Sequence, residues 1–492
     1  MYFNHSAILA ADTGLGKTVM SLATACMLLE DDKIDFLMVA CESNKVWEWA
    51  DDIALFTDLT PIRYVGTPGR RAKIRSRIAS GEINCIVGVY ETYRNDMATK
   101  VASKKNKSGE TLIRGPLTEV IQNLRVLYLK DEGAAKMGAN RGSQLYKSHE
   151  MLSKKMGERL RIIEISGTPV NKDPVGYFNI GRLMKDLGTI DDFNRDHGAA
   201  FRNFEPTMFK NLDPDMTEPG KISLKEKMAD ILIVKSKSDP DIIDLFPKEI
   251  QDYTYVRFSD EEMAFYKWLI SEYSTDPQNE AALYTVLRQF CAHPMALSLS
   301  QGGVSQNVVA KVGKGALEAL GSSKCSAVVS RMRTILSQDA QVVAFTFFGQ
   351  SALPLYHQAF LDEGWKVSIN HGRLSVDQKR AAQNEFRSGK TQIFLSSDAG
   401  ARGINLPEAA YVEEIDIPTL WATHHQRVNR ISRVDSKNPT IFLHAWAVKD
   451  TLEDEVVSKM LLRKGYSDSL VAPSKITNAM MKDMLREKRE KV

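Results

Sequence analysis

The chain alternates short apolar runs with longer amphipathic segments, and it does so in two separate regions. In the first region the apolar runs are Ser6–Asp12, Asp35–Cys41, Ile83–Tyr90, Arg125–Glu132 and Arg161–Pro169. In the second they are Gln341–Phe348, Lys366–Gly372, Thr391–Ser397, Ala409–Asp416 and Thr440–Ala447. Continuous apolar runs separated by helices are typical of parallel strands buried on both faces. The pattern therefore predicts two α/β lobes with parallel sheets, and a mostly helical region between them.

Length and composition fit a protein with more than one domain. A single hydrophobic core rarely grows beyond about 250–300 residues, and this chain has 492. Its formal net charge of +3 predicts no general affinity for nucleic acid, so any such affinity must come from local patches. The five cysteines lack C-x-x-C spacing, and no apolar run reaches the roughly 18 residues of a membrane span. We expect a cytoplasmic protein, or else a nuclear one, without a membrane partner.

A phosphate-binding loop is predicted near the start of the chain. The stretch AADTGLGKTVMSL places two glycines and a lysine between a predicted strand, Ser6–Asp12, and a predicted helix, Lys17–Glu30. Gly14 and Gly16 allow a tight turn whose backbone N–H groups point at an anion. Lys17 would neutralise the β- and γ-phosphates, and Thr18 would ligate Mg²⁺. The competing interpretation is a glycine-rich turn before a core helix.

An acidic partner for this loop follows the predicted strand Arg125–Glu132. Asp131 could hold Mg²⁺ through water, and Glu132 could polarise the water that attacks the γ-phosphate. The alternative is a solvated acidic turn. Lys130 stands where such strands are usually apolar, which indicates a solvated sheet edge.

Cations for the transition state are available far along the chain. Phosphoryl transfer needs positive charge where the charge of the γ-phosphate spreads. The stretch HQRVNRISRVD offers Arg427, Arg430 and Arg433, and the last two lie one helical turn apart, so one helix face can carry both. If this stretch serves the nucleotide on Lys17, the two lobes close over it. Otherwise the stretch is an exposed basic helix.

These stretches, in this order, resemble the motifs of SWI/SNF-type ATPases of helicase superfamily two. ADTGLGKT is similar to motif I, CESNKVWEWADDIALF to motif Ia, KDEG to motif II and ISGTP to motif III. AFTFF resembles motif IV, LSSDAGARGINL motif V and QRVNRISRVDS motif VI. LRQFCAHP is very close to a further block of this family.

The resemblance implies an α/β fold of two tandem RecA-like lobes with a helical insertion between them. Lobe one would span residues 1–238, with the insertion starting at about residue 174. Lobe two would span residues 239–465, with a helical segment up to about residue 320. Residues 466–492 would form a basic C-terminal tail.

The same resemblance assigns site residues. ATP and Mg²⁺ would be held in lobe one by Gly14, Gly16, Lys17, Thr18, Asp131 and Glu132, and the site would be completed by Gly403, Gln426, Arg430 and Arg433. Residues near the nucleic acid, or coupling it to ATP, would be Thr92, Arg94, Ser166, Thr168, Ser396, Ser397 and Asn405. The predicted basic loop Lys100–Lys107 and the basic tail segment Lys475–Lys491 are either phosphate contacts or plain solvated surface.

The sequence departs from the family pattern in three places. Only MYFNHSAIL precedes motif I, where the family has a longer segment with a glutamine that reads adenine, so another chain could supply that segment. Ala134 replaces the histidine that follows motif II and helps to couple the lobes. Ser432 replaces a histidine of motif VI.

The function we expect is an ATP-dependent DNA translocase or helicase that hydrolyses ATP between its lobes, with duplex DNA as the favoured track. The alternatives are a non-catalytic, ATP-gated protein that binds DNA or a partner, and an RNA helicase. The short start and Ala134 favour the non-catalytic protein, whereas Lys17, Asp131 and Glu132 favour the enzyme. LRQFCAHP argues against the RNA helicase, and the compact form favours a bacterial or viral setting.

Overall fold

The computed structural model describes two compact units. The described residues are 1–2, 4–102, 110–133, 136, 142–170, 174–197, 222–273, 280–398 and 404–471. One unit comprises Met1–Asp239 with the chain after Leu461, and the other comprises Pro240–Leu461. Both are built on parallel sheets with helices, so the predicted α/β class with two parallel-sheet lobes is confirmed.

The first unit contains a mainly parallel arrangement of strands. Its described strands are β1 (Ala7–Ala11), β2 (Phe36–Cys41), β3 (Ile62–Arg63), β4 (Cys85–Val89), β5 (Ala98–Ala102), β6 (Glu110–Arg114), β7 (Val126–Asp131), β8 (Leu160–Ser166) and β9 (Leu232–Lys235). In the described part of the chain they form a parallel sheet of order β3-β4-β2-β7-β8-β1-β9 and a separate antiparallel β5–β6 hairpin.

Helices cover both faces of this sheet. They are α1 (Lys17–Glu30), α2 (Val46–Phe56), α3 (Pro68–Ala79), α4 (Tyr90–Met97), α5 (Pro116–Ile121), α6 (Gly142–Met156), α7 (Pro174–Met184), α8 (Ile190–His197) and α9 (Leu224–Met228). Successive side chains of a strand point to opposite faces. In β2, accordingly, Met38 and Ala40 enter one hydrophobic core, while Leu37 and Val39 enter the other.

The second unit repeats the plan with a different strand order. Its described strands are β10 (Lys248–Val256), β11 (Val342–Thr346), β12 (Val367–Asn370), β13 (Ile393–Ser397), β14 (Tyr411–Glu414) and β15 (Thr440–Val448). Where the structure is described, they form one parallel sheet of order β10-β15-β14-β11-β13-β12.

Most helices of the second unit lie between its first two strands in sequence. They are α10 (Asp260–Tyr273), α11 (Glu280–Ala292), α12 (Ala296–Leu299), α13 (Gly303–Val312), α14 (Lys314–Ala319) and α15 (Ser323–Leu336). The remaining helices are α16 (Ala352–Asp362), α17 (Val376–Arg387), α18 (Trp421–Val428) and α19 (Leu452–Val471), which continues past Leu461. None of the helices in the described ranges is long and apolar enough to cross a membrane.

The basic segment Lys100–Lys107 differs from a simple loop. Lys100 lies within β5, which pairs with β6 from Ala98↔Arg114 to Ala102↔Glu110. Residues 103–109 lie outside the described residues, as does the segment Lys475–Lys491. The prediction of a loop starting at Lys100 is therefore wrong at its first residues, because antiparallel pairing continues through them.

Lys130 is not at a solvated sheet edge, and that expectation is wrong. Its strand β7 pairs with β2 on one side and β8 on the other, and the Lys130 side chain is completely buried. The register places Glu164 of β8 beside it, and this carboxylate attracts the ammonium group. The ring of Tyr128 lies 5.8 Å from Lys130 Nζ. A buried lysine is tolerated here because an opposite charge compensates for its lost hydration.

We predict that Lys130 makes the stability of the protein depend on alkaline pH. Burial lowers the pKa of Lys130 to about 8, although Glu164 opposes the shift. Between pH 8 and the pKa of the unfolded chain, the unfolded state binds more protons, so stability rises with pH. Relative to a Lys130→Met/Glu164→Gln double variant, the wild type should gain up to about 3 kcal/mol in free energy of unfolding across this range.

Urea denaturation at pH 7 and at pH 10 measures this difference. The exposed Lys73 of α3 is the matched control, because Lys73→Met removes a lysine without removing a buried charge. Parallel pH profiles for the wild type and the double variant would contradict the prediction.

Candidate functional site

The predicted phosphate loop joins the end of β1 to the start of α1. Gly14 and Gly16 have φ angles of 95° and 74°, a left-handed conformation that favours glycine and lets the chain turn directly into the helix. Lys17, the first residue of α1, donates from Nζ to the carbonyl oxygen of Ala11 at 2.9 Å. Burial lowers the pKa of Lys17, while Glu132 and Asp131 act in the opposite direction. The loop thus surrounds a largely desolvated ammonium group at a helix N-terminus.

The acidic residues lie at the carboxyl end of β7. Asp131 Oδ2 accepts hydrogen bonds from Lys45 Nζ at 2.9 Å and from Trp49 Nε1 at 3.1 Å. Its side chain is only 8% exposed, so the alternative of a solvated acidic turn is wrong. The attraction of Asp131 and Glu132 outweighs burial and raises the pKa of Lys45 to about 12. Asp131 is therefore held rigidly by a cation and an indole.

Glu132 is oriented by the end of β8. Its backbone has a φ of 56°, and its N–H donates to the carbonyl of Ile165 at 2.8 Å. Its carboxylate accepts from Ser166 Oγ at 2.5 Å and from the backbone N–H of Gly167 at 3.3 Å. Burial, followed by the charge of Asp131, raises the pKa of Glu132. This environment suits a carboxylate that accepts a proton.

The segment after β8 closes against the phosphate loop. A Cβ on Gly167 would lie 3.4 Å from Lys17 Nζ and 3.2 Å from Thr13 Oγ1. Thr168 is buried, and its N–H donates to Ser166 Oγ at 3.0 Å. The structure thus brings together the predicted residues Lys17, Glu132 and Ser166 at the carboxyl edge of one sheet.

Helix α4 carries the predicted nucleic-acid residues Thr92 and Arg94, which are both partly buried. Arg94 Nε donates to Asn95 Oδ1 at 3.2 Å. The helix is tied to the acidic turn by Tyr90, whose hydroxyl donates to the carbonyl oxygen of Asp131 at 3.0 Å. A physical connection therefore runs from the helix of Thr92 to the carboxylates.

In the second unit, the predicted helix face for Arg430 and Arg433 does not exist. Helix α18 ends at Val428, and both arginines lie in the turns that follow. The buried Asn429 bonds back to the His425 carbonyl at 2.7 Å, and the buried Ser432 donates to Glu249. The local bond of Asn429 competes with helix continuation, whereas Ser432 bonds to a residue of a distant strand.

The turns after α18 nevertheless gather several predicted residues. Arg430 Nη1 donates to the Ile404 carbonyl at 3.4 Å, and Arg433 Nε lies 3.6 Å from Asp435 Oδ1. Asn405 Nδ2 donates to the other oxygen of the same carboxylate at 2.9 Å. Gln426 is exposed on α18, and Gly403 lies outside the described residues. Motifs V and VI therefore meet around Arg430, Arg433 and Asn405.

Arg427 is a buried anchor rather than an exposed basic residue. It is 1% exposed and donates to Asp398 Oδ1 at 2.7 Å, to Glu414 Oε1 at 3.2 Å and to the Asp416 carbonyl at 2.9 Å. These bonds and nearby carboxylates raise its pKa despite burial. Arg427 fixes the helix that precedes Arg430. The sequence EEID at residues 413–416 could have predicted this buried arginine, because carboxylates that are buried require a cation.

A cavity of about 560 Å³ opens at the carboxyl ends of β11, β12 and β13. Among the predicted residues, Ser397 lines it. Ser396 points elsewhere, because its side chain is fully buried and accepts a hydrogen bond from Asn370 Nδ2 at 3.3 Å. Arg373 and His371 add polar groups to the cavity wall. Ligands of parallel α/β sheets commonly bind at this edge.

Comparison with known families identifies the chain. The profile of the SNF2-related domain matches residues 2–299, and that of the helicase conserved C-terminal domain matches residues 327–435. The chain belongs to the SNF2-related family. The resemblance to SWI/SNF-type ATPases of helicase superfamily two is thereby confirmed.

Relatives of this SNF2-related protein are longer than it is. It is 22% identical to a DNA repair and recombination protein RAD54-like of Gallus gallus, over 95% of this chain and 64% of the relative. It is 21% identical to the putative ATP-dependent helicase/translocase YwqA of Bacillus subtilis, over 63% of this chain and 32% of the relative. The chain thus spans at most about two thirds of these relatives.

A solved helicase structure supports the fold. The Hef helicase domain of Pyrococcus furiosus superposes with a TM-score of 0.53, at 14% identity, over 92% of this chain and 94% of that chain. The predicted fold of tandem RecA-like lobes is confirmed in this SNF2-related protein.

The residues present fit a magnesium ion bound together with nucleotide phosphates. Thr18 and Asp131 offer the hydroxyl and carboxylate oxygens that this ion prefers. The Asp131 carboxylate already binds one cation, the ammonium group of Lys45. No group of three or more His, Cys, Asp or Glu side chains in the described ranges could hold a metal by itself. Phosphate and water would therefore complete the coordination, as is usual for magnesium.

We predict that the acidic turn of this SNF2-related protein tolerates no side chain at Gly133. A Cβ there would lie 2.5 Å from Glu164 Oε2 and 2.8 Å from the Tyr90 hydroxyl. Gly133→Ala should therefore displace Glu132, lower ATP hydrolysis at least tenfold and cost about 1–3 kcal/mol of stability. Gly69→Ala in α3, where a Cβ meets no atom within 4 Å, is the control and should leave both unchanged. Equal melting temperatures and rates for the two variants would refute the prediction.

Proposed function

We propose that this protein is an ATPase that is stimulated by nucleic acid and moves along DNA. The observation that carries the proposal is the arrangement in the first unit. A partly buried lysine at a helix N-terminus lies beside two carboxylates, and one of these is oriented by Ser166. Phosphate binding and water activation need these groups together.

Each residue of the first unit has a distinct role in this proposal. Lys17 and the backbone N–H groups after Gly14 bind the β- and γ-phosphates, and Thr18 and Asp131 hold magnesium. The ion, when bound, neutralises charge between the phosphates. Glu132 accepts a proton from the water that attacks the γ-phosphorus, and Ser166 and Gly167 keep its carboxylate in place. Its raised pKa favours that proton transfer.

The second unit supplies guanidinium groups in this proposal. Arg430 and Arg433 stabilise the charge that develops on the γ-phosphate, and Gly403 and Gln426 complete the nucleotide site. The buried ion pairs of Arg427 support this role, because they fix the helix immediately before Arg430. Positioned cations contribute most to phosphoryl transfer when they need no reorganisation.

DNA is the proposed track, and duplex DNA is favoured over single strands. Support comes from the RAD54-like relative, which is described as a DNA repair and recombination protein. Thr92, Arg94, Thr168, Ser397 and Asn405 are the proposed contacts or coupling residues, together with Ser166 and Ser396. Contacts to phosphates carry no sequence information, which suits a protein that moves along a strand.

The organisation of the chain is proposed as well. We propose that lobe one ends at residue 238 and that a basic tail begins at residue 466. We also propose a cytoplasmic location in a bacterial or viral setting. We also propose that a further chain can contribute the segment that reads adenine. None of these proposals is needed for the chemistry of Lys17 and Glu132.

An ATPase assay with duplex DNA, single-stranded DNA and RNA in parallel tests the proposed function. Duplex DNA should raise hydrolysis at least tenfold, and Lys17→Ala should abolish it, because the phosphates lose their main cation. Lys33→Ala, which removes a partly exposed lysine after α1, is the control. Stimulation by RNA alone would favour an RNA helicase. Binding of DNA without hydrolysis would favour an ATP-gated binding protein.

A further inference from the structure

The aromatic ring of Phe347 borders the cavity of the second unit, and about half of it is exposed. We infer that Phe347 is a stacking platform for an unstacked nucleobase, so that the cavity binds one nucleotide of a single-stranded segment. The inference rests on the proposed function: the track is duplex DNA, and this site takes a base that is unstacked at a strand end or has left the stack.

Phe347 presents a large apolar surface to solvent. It directly follows β11, lines the cavity and is 52% exposed. The adjacent Phe348 is buried. Exposing a phenyl ring costs hydrophobic free energy, which burial against a ligand would recover. A base offers a flat π surface of matching size.

The ring is held in place before any ligand arrives. It packs edge-on against Phe348, with centroids 5.2 Å apart and planes at 86°. The guanidinium carbon of Arg288 lies 5.3 Å from the Phe347 centroid. Arg288 is itself buried and donates from Nη2 to the Ile417 carbonyl at 2.8 Å. A ring fixed in this way loses little side-chain entropy when a base stacks on it.

The backbone beneath the ring is equally constrained. The N–H of Phe347 donates to both carboxylate oxygens of Asp416, at 2.8 and 3.0 Å. Asp416 also accepts from Thr346 Oγ1 at 2.5 Å and is completely buried. The exposed ring is thus part of a rigid polar network and not the end of a loose turn.

The rest of the cavity wall has the chemistry of a nucleotide site. Gln301 and Gln350 contribute carboxamides, which can pair with the edge of a base. Arg373 Nη2 donates to Gln350 Oε1 at 2.9 Å, which places a guanidinium group beside them. Helix α16 starts at the same wall, and a helix N-terminus favours a phosphate.

The cavity size also fits one nucleotide better than an intact duplex. Its volume of about 560 Å³ lies within the usual range for a small-molecule site. In a duplex, both faces of every internal base are covered by stacking. A base can therefore reach Phe347 only in a single strand, at an end or after leaving the stack.

Fluorescence binding assays separate the base from the backbone. The full-length protein is titrated with oligothymidine containing 2-aminopurine, whose emission falls on stacking, and with an abasic oligonucleotide of equal length. Phe347→Ala should weaken binding of the first about tenfold and remove the emission change. It should leave abasic binding unchanged. Phe347→Tyr should restore both signals, which excludes misfolding as the cause.

A matched control is available in the first unit. Phe56 of α2 is 49% exposed and does not line the cavity, so Phe56→Ala should behave as the wild type. Two results would overturn the stacking role without affecting the proposed DNA-stimulated ATPase. Phe347→Ala could weaken binding of the base-containing and the abasic oligonucleotide equally, or it could weaken neither. Absence of both nucleic-acid binding and stimulation in the wild type would instead overturn the proposed function itself.

Discussion

The first unit depends on the compensation of the partly buried ammonium group of Lys17. Removing this charge from water is costly unless oxygen atoms replace the lost hydration. The Ala11 carbonyl provides a direct hydrogen bond, and the carboxylates of Glu132 and Asp131 provide attraction. The ends of two strands, β1 and β7, must therefore meet at one edge of the sheet. Lys45 balances the second negative charge, so the site as a whole is nearly neutral.

In the second unit, the cation that needs compensation is a guanidinium group. Arg427 is buried among the carboxylates of Asp398, Glu414 and Asp416. Asp416 also fixes the end of β11, next to Phe347. One ionic network thus orients the turns of Arg430 and the rim of the cavity. Removing a single partner would leave a buried charge without compensation, which is costly.

Sequence patterns predicted elements with strong local signals and missed those that depend on distant partners. Helix Lys17–Glu30 was predicted at its observed bounds, because glycines and an apolar stripe mark it. Strand β10 was missed, since half of it is exposed at a sheet edge. The predicted helix face for Arg430 and the predicted solvated edge at Lys130 were both wrong because each conformation depends on a distant partner. A partner on another element decides each local conformation: Glu249 of β10 through the buried Ser432, and the buried Glu164 of β8. Spacing alone does not reveal these partners.

We propose that one triphosphate is bound by Lys17 and that Arg430 and Arg433 stabilise the charge that develops on it. Nucleotide affinity and turnover can be measured separately in an Arg430→Ala/Arg433→Ala double variant with saturating DNA. Affinity for a fluorescent ATP analogue should change less than about threefold, while kcat should fall at least about a hundredfold, because the arginines act on charge that develops only in the transition state. An unchanged kcat would contradict this role of the two arginines.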